Sequence, residues 1–355
     1  MKKLYFFLLL FPLFVLAQAP SGYYNAAVGK LDAVLKTSLL GIVGPHTERT
    51  YADLWTDFQS TDTRADGKVW DMYSTCTYTF VVNQDKGSGG TAECQFYNRE
   101  HSFPASWFAS ATPMYSDLFH LYPADKYVNA ERGNFPYGET TTPTRTYSNG
   151  SKKGNSTFEG YTGTVFEITD EFKGDFARTY FYMVTAYENK IAKDKWASDQ
   201  LETDSIKKIY PSLSTWSINL LLKWHRQDPV SAKETNRNNA VYSIQNNRNP
   251  YIDYPMLAEH IWGTQKGIPW TITSGINELK VDFSISPNPV QDVLNIKTEE
   301  QDLNCIIYNT SGQQLLNKSL QGSGVIHVDH LVNGMYFIKV QSGTKSNVSK
   351  FIVNK

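Results

Sequence analysis

Tryptophan and arginine stop abruptly well before the end of this 355-residue chain. All eight tryptophans lie at or before Trp270, and all nine arginines fall between Arg49 and Arg248. Beyond about residue 275 the chain turns into short alternating runs separated by Asn, Gly and Ser. They are Phe283-Ser284-Ile285-Ser286, Val293-Leu294-Asn295-Ile296-Lys297, Cys305-Ile306-Ile307-Tyr308-Asn309, Gln314-Leu315-Leu316, Val325-Ile326-His327-Val328, Met335-Tyr336-Phe337-Ile338-Lys339-Val340 and Lys350-Phe351-Ile352-Val353. Turn signals such as Pro287-Asn288-Pro289, Ser311-Gly312 and Asn333-Gly334 lie between them, which predicts a small all-β, immunoglobulin-like antiparallel sandwich. A linker is expected over 274–282, with the tail domain over 283–355.

Upstream, helical and strand patterns mix, so the class expected for 20–273 is α+β. Residues 206–226 carry Leu213, Trp216, Ile218, Leu220, Leu221 and Trp224, an apolar-rich helix stopped by Asp228-Pro229. Residues 231–245 predict a second, more polar helix that ends before Asn246-Asn247-Arg248-Asn249-Pro250. The run Gly87-Ser88-Gly89-Gly90 leads to no phosphate-loop lysine and serine, so it is a plain loop.

At the N-terminus, Lys2 and Lys3 precede an apolar run from Leu4 to Leu16 that closes on Ala17-Gln18-Ala19. That order is a secretory signal peptide over 1–19, and the run is shorter than the ~20 apolar residues a spanning helix needs. No later segment is apolar enough to span a membrane. Export implies an oxidising compartment, where Cys76 and Cys94 are expected to form a disulfide just ahead of residue 100. Cys305, in a strand-like run, is expected as a buried thiol. The chain has 34 basic and 35 acidic side chains, of which 32 basic remain without Lys2 and Lys3. This balance excludes a nucleic-acid coating protein more than it excludes a nuclease, because turnover needs only local positive charge.

The chemistry concentrates in Asn98-Arg99-Glu100-His101-Ser102-Phe103-Pro104. Pro104 and the glycine turn before it suit an extended segment, in which neighbouring side chains point to opposite sides. Glu100 and His101 then serve opposite ends of one phosphate: His101 as general base for water, Glu100 as ligand of a cation beside the leaving oxygen. A second ligand is expected from a helix running from Pro123 to Gly133. On it Asp125, Asn129 and Arg132 share one face. Asn129 offers a neutral oxygen suited to magnesium, with Asp125 a weaker alternative ligand, and manganese or calcium would use the same donors. Arg132 either holds phosphate or pairs with a carboxylate. His120 either supports the site by a hydrogen bond or takes part in it, and Asp117 braces its loop.

In combination these residues resemble the bacterial endonuclease I family, nucleases with a ββα-metal (His-Me finger) centre. The resemblance runs through Trp70-Asp71-Met72-Tyr73-Ser74, the Asn98 stretch, Asp117 to Asn134, Trp224-His225, Gln245 to Asp253 and Ile261-Trp262-Gly263. It implies His101 as base, Glu100 and Asn129 as magnesium ligands, and non-specific cleavage of DNA, often also RNA, to 5′-phosphate ends. Phe119 stands where relatives often have a histidine. No position answers to the family's phosphate-gripping arginine.

The tail resembles the C-terminal sorting domain of type IX secretion substrates, through Ser286-Pro287-Asn288-Pro289, Ile307-Tyr308-Asn309, Gly334-Met335-Tyr336-Phe337-Ile338-Lys339-Val340 and the terminal Lys350-Phe351-Ile352-Val353. It implies passage through the periplasm to the cell surface or medium by the type IX machinery. A monomer is expected. Rival readings are a secreted nucleic-acid-binding or adhesion protein, and a metal-dependent phosphodiesterase on small esters.

Overall fold

A computed structural model describes residues 19–355 except 192, 195, 273–280, 311–312 and 344. All but the last residue of the signal peptide expected over 1–19, and most of the linker expected over 274–282, therefore lie outside the described residues. Two compact units are present, Met1–Thr271 and Ile272–Lys355.

The first unit is α+β. Helices α1 (Asp32–Val43) and α2 (Leu54–Thr61) precede an antiparallel pair, β1 (Tyr97–His101) and β2 (Leu121–Asp125), which runs directly into α3 (Lys126–Arg132). Strands β3 (Pro143–Thr146), β4 (Lys152–Asn155) and β5 (Thr164–Glu167) form a second small sheet in that order. Six helices follow: α4 (Lys173–Ala186), α5 (Glu188–Ile191), α6 (Thr215–Gln227), α7 (Ala232–Gln245), α8 (Pro250–Asp253) and α9 (Leu257–Ile261).

Every residue of α4 is buried. A helix with Phe176, Tyr180, Phe181, Tyr182, Met183 and Val184 spread around its circumference has no face to offer water, so other elements cover it on all sides. Its charges are each neutralised in place: Lys173 by Glu167 at 2.9 Å, Asp175 by Lys233 at 2.7 Å, and Arg178 by Glu234 at 2.5 Å. Glu234 also closes the capping box of α7, accepting from the Ser231 N–H at 2.9 Å while Ser231 Oγ accepts from the Glu234 N–H at 3.2 Å.

The helix expected over 206–226 begins only at Thr215. Pro211 cannot donate a backbone hydrogen bond and steers Tyr210 away from helical geometry, so the segment before Ser214 is turns. The polar helix of 231–245 forms over α7 and ends with Asn246 at φ 62°. The glycine run 87–90 lies in a loop. Cys76 and Cys94 are joined by a disulfide across this loop, and the Cys94 N–H donates to Asp125 Oδ2 at 2.8 Å, tying the loop to the β2–α3 junction.

The second unit holds β6 (Phe283–Ser286), β7 (Val293–Thr298), β8 (Asp302–Asn309), β9 (Gln314–Gln321), β10 (Gly324–His327), β11 (Gly334–Ser342) and β12 (Lys345–Val353). They form two antiparallel sheets, ordered β10-β7-β6 and β12-β11-β8-β9. Leu294, Ile296 and Ile326 from one sheet share a single core with Cys305, Ile307, Ile338, Val340 and Phe351 from the other. Cys305 is a buried free thiol. Val281 is also in that core, so the unit's packing starts ahead of β6. No helix among the described residues is long and apolar enough to cross a membrane.

Candidate active site

The register of β1 on β2 decides which groups face each other. Ser102 N–H donates to His120 C=O at 3.0 Å and Lys126 N–H to Phe96 C=O at 2.9 Å, so the even-numbered residues of β1 occupy the hydrogen-bonded pairs. Arg99 opposite Pro123 is then a non-hydrogen-bonded pair. Pro123, expected as the first residue of the helix, is instead inside β2, where its missing N–H points away from β1 and costs nothing. The helix starts three residues later because Asp125 is its cap, accepting from the N–H groups of Tyr127 at 2.8 Å and Val128 at 3.0 Å. Gly133 ends it at φ 56°, as expected.

Asp125 also accepts from Tyr78 OH and from the Cys94 N–H. Fully buried and bonded through both oxygens, it is a junction and not a ligand, which corrects its place among the candidate ligands.

Helix α3 lies across the face of β1 that carries Asn98 and Glu100. Arg132 Nη1 donates to Glu100 Oε1 at 2.7 Å, and Asn129 Nδ2 donates to Asn98 Oδ1 at 2.8 Å. Arg132 is fully buried and also donates to the carbonyls of His101 at 3.0 Å and Ser102 at 2.6 Å. Of its two expected roles it takes carboxylate pairing; its Nη atoms are spent on Glu100 and backbone carbonyls, and its Nε, without a partner among the described residues, is sealed from solvent. Tyr73 OH adds a second bond to Glu100 Oε1 at 2.7 Å, and itself meets Tyr137 OH at 2.5 Å. Burial pushes the Glu100 carboxyl up, against the pull of Arg132 and Tyr73. Both donors converge on Oε1; among the described residues none reaches Oε2, and none reaches Asn129 Oδ1. Two hard oxygen donors from one strand and one helix are thus left free, a sparse set that suits a cation retaining waters. Among the described residues no group of three or more His, Cys, Asp or Glu side chains forms a fuller cage.

His101 projects from the other face, as period-two geometry requires. Its Nε2 donates to Tyr115 C=O at 3.0 Å, which leaves the Nδ1 lone pair without a protein donor among the described residues. The ring stacks on Tyr115 at 4.8 Å and on Tyr51 at 5.7 Å. Burial, and then the neighbouring His120, push its pKa down to about 3, so the ring is neutral at ordinary pH.

His120 is fully buried with its ring 5.5 Å from His101, and its Nε2 donates to Met114 C=O at 2.6 Å. It backs the site from within. Asp117 braces the preceding turn, accepting from Tyr182 OH at 2.7 Å, Tyr187 OH at 2.6 Å, Gln245 Nε2 at 2.9 Å and the Phe119 N–H at 2.9 Å.

Several site residues were not singled out by the sequence reading. Asn98 was within reach of it, being two positions before Glu100 on a strand. Tyr51 and Tyr115 were not, since nothing local marks them as neighbours of positions 100 and 101; Tyr73 lies in the family-like run Trp70 to Ser74, with no local sign that it meets Glu100.

The profile of the endonuclease I family matches residues 32–256. The chain belongs to that family. Residues 284–354 match a secretion system C-terminal sorting domain. An extracellular ribonuclease of Bacillus amyloliquefaciens is 34% identical over 243 residues, 68% of this chain and 78% of that one. A protein of the same description from Bacillus subtilis (strain 168) is 32% identical over 245 residues, with the same two coverages. Endonuclease-1 of Buchnera aphidicola subsp. Baizongia pistaciae is 28% identical over 137 residues, 39% of this chain and 46% of that one. This endonuclease I family member is a nuclease, and its type IX sorting tail makes it a secreted or cell-surface protein.

Proposed function

We propose that the chain is a non-specific, divalent-metal-dependent endonuclease that hydrolyses the phosphodiester bonds of DNA and RNA to 5′-phosphate products outside the cell. In this reading β1, β2 and α3 form a ββα-metal centre within a nuclease domain over 20–273. The signal peptide over 1–19 and an immunoglobulin-like sorting domain over 283–355, joined by the linker over 274–282, serve its export.

The observation that carries the reading is the division of free groups across β1. Among the described residues Glu100 Oε2 and Asn129 Oδ1 are unspent on one side, and His101 Nδ1 is unspent on the other. Glu100 and Asn129 would hold magnesium, or manganese or calcium in its place. Bound there, the cation supplies charge stabilisation at the leaving 3′ oxygen. His101 accepts the proton of the attacking water at Nδ1, because its Nε2–H is already committed to Tyr115 C=O. Burial that keeps the imidazole neutral also makes it a weak base. An anionic phosphodiester docked beside the ring offsets part of that, since a nearby negative charge favours the protonated form. Arg132 and Tyr73 fix the Glu100 carboxylate with one oxygen turned outward.

Digestion of plasmid DNA and of RNA with and without chelator is the direct test. Cleavage should require the divalent ion, and His101→Ala should reduce it by about 10²–10⁴-fold, the usual contribution of a general base. Chelator-sensitive cleavage at near wild-type rate by His101→Ala would remove the base assignment. Faster turnover of a chromogenic small ester than of polynucleotide would remove the nuclease substrate class.

A further inference from the structure

Nine arginines are present, and seven of them are spent on carboxylates: Arg49, Arg64, Arg132, Arg178, Arg226, Arg237 and Arg248 each lie within salt-bridge distance of an Asp or Glu. Among the described residues Arg99 and Arg145 have no such partner. Arg145 lies 5.2 Å from the ring of Tyr127, which is two residues from Asn129 and so roughly 200° around α3 from it. It does not share the site. Arg99 does, being the residue between Asn98 and Glu100 on β1 and pointing to the same face as His101.

Its environment is built to hold a guanidinium in one plane. The Arg99 carbon is 3.6 Å from the centroid of Tyr51 and 4.3 Å from that of Trp55, and Nη1 donates to Tyr51 C=O at 2.6 Å. That single bond uses one of the five N–H donors an arginine carries, and the side chain is only partly buried. The same Tyr51 ring stacks on His101, so guanidinium and imidazole are held by one aromatic wall. Residues i and i+2 of a strand are about 7 Å apart, a separation comparable with that between successive phosphates of one nucleic-acid strand. A planar, stacked guanidinium with its donors already oriented loses little freedom on binding and matches phosphate oxygens with two parallel bonds.

We propose that Arg99 grips the phosphate adjacent to the one that is cleaved, so that the substrate backbone runs along β1 past Tyr51. This rests on the nuclease reading above and adds to it the residue that aligns the strand. Arg99 is a binding and positioning residue; it is not placed on the reacting atoms.

The test is steady-state cleavage of a duplex oligonucleotide with magnesium across a salt series, using the full chain, R99A, R99K and the control R64A, whose arginine is exposed and paired with Asp66. R99A should raise KM about tenfold with kcat within about twofold, and should lower the salt slope by about one, as loss of one phosphate contact predicts. R64A should match the wild type. R99K keeps the charge without the planar fork, so a KM raised roughly threefold is expected, and it decides the matter should R99A fail to fold. Unchanged KM and slope in R99A and R99K with an active wild type would overturn the proposal. So would a fall in kcat at constant KM, which would make Arg99 a brace for Tyr51 and His101. A wild-type chain that cleaves nothing overturns the nuclease reading, and this one with it.

Discussion

Glu100 and Arg132 illustrate how little freedom a buried site residue has. The carboxylate is 3% exposed and the guanidinium 0%, so each is tolerable only because of the other. Arg132→Met leaves a buried, unpaired carboxylate, and removal of one partner of such a pair costs about 3–5 kcal/mol. We expect urea unfolding of Arg132→Met to show a loss of that order, partly restored by adding Glu100→Gln, which removes the stranded charge. A loss below about 1 kcal/mol would mean that the pair behaves like an exposed one. At this scale Glu100, His101 and Asn129 could be singled out as candidates from their side chains and spacing. Arg132 was legible as charged and on the right helix face, but its partner was not, because two equally reasonable partners existed until the helix was placed against β1.

At the scale of elements, local rules worked where the competing signals were few. Helix α7 has a Ser231–Glu234 capping box, a polar face and an Asn246 stop, and it forms where those signals put it. The start of α3 was misjudged because proline at the first helical position is a good signal and Pro123 offered it. Asp125, with four hydrogen bonds, was the stronger one, and two of those come from Tyr78 and Cys94, far from it in sequence. The capping box yields a prediction of its own. Ser231→Ala should cost about 0.5–2 kcal/mol of stability, measured by the urea midpoint. It should do so at the upper end, because Glu234 also holds Arg178 at the centre of the unit. An unchanged midpoint would show that the Arg178 pair alone secures the start of α7.

Across the whole first unit, stability is coupled to pH through groups that packing has sealed in. His225 donates from Nε2 to Pro255 C=O at 3.0 Å and accepts at Nδ1 from Arg178 at 3.3 Å, so a second ring proton would face an arginine. Burial, and then Arg178, push its pKa down to about 4. The unfolded chain takes up the proton near pH 6.5 while the folded one refuses it until about pH 4. Stability is therefore lost as pH falls through that window, by about 3 kcal/mol. Asp71, raised by burial to about 7, acts with the opposite sign. The quantity to measure is therefore the wild-type minus His225→Gln difference in unfolding free energy between pH 7 and pH 4. It should shrink by about 3 kcal/mol, and a difference that stays flat would reject the coupling.

The chain's own order determined the alternation that splits Glu100 from His101, the turn-punctuated strands of the tail, and the presence of an acid, a base and an amide within one stretch. These are consequences of covalent neighbourhood, and period-two or period-3.6 geometry transmits them directly. Tertiary structure alone decided that Tyr73 and Arg132 would turn one oxygen of Glu100 outward, that Tyr51 and Tyr115 would wall in His101, and that Arg99 would be left without a carboxylate among the described residues. Each of these depends on segments 14 to 50 residues away closing onto β1. Whether a charge stays unpaired is a property of everything packed around it.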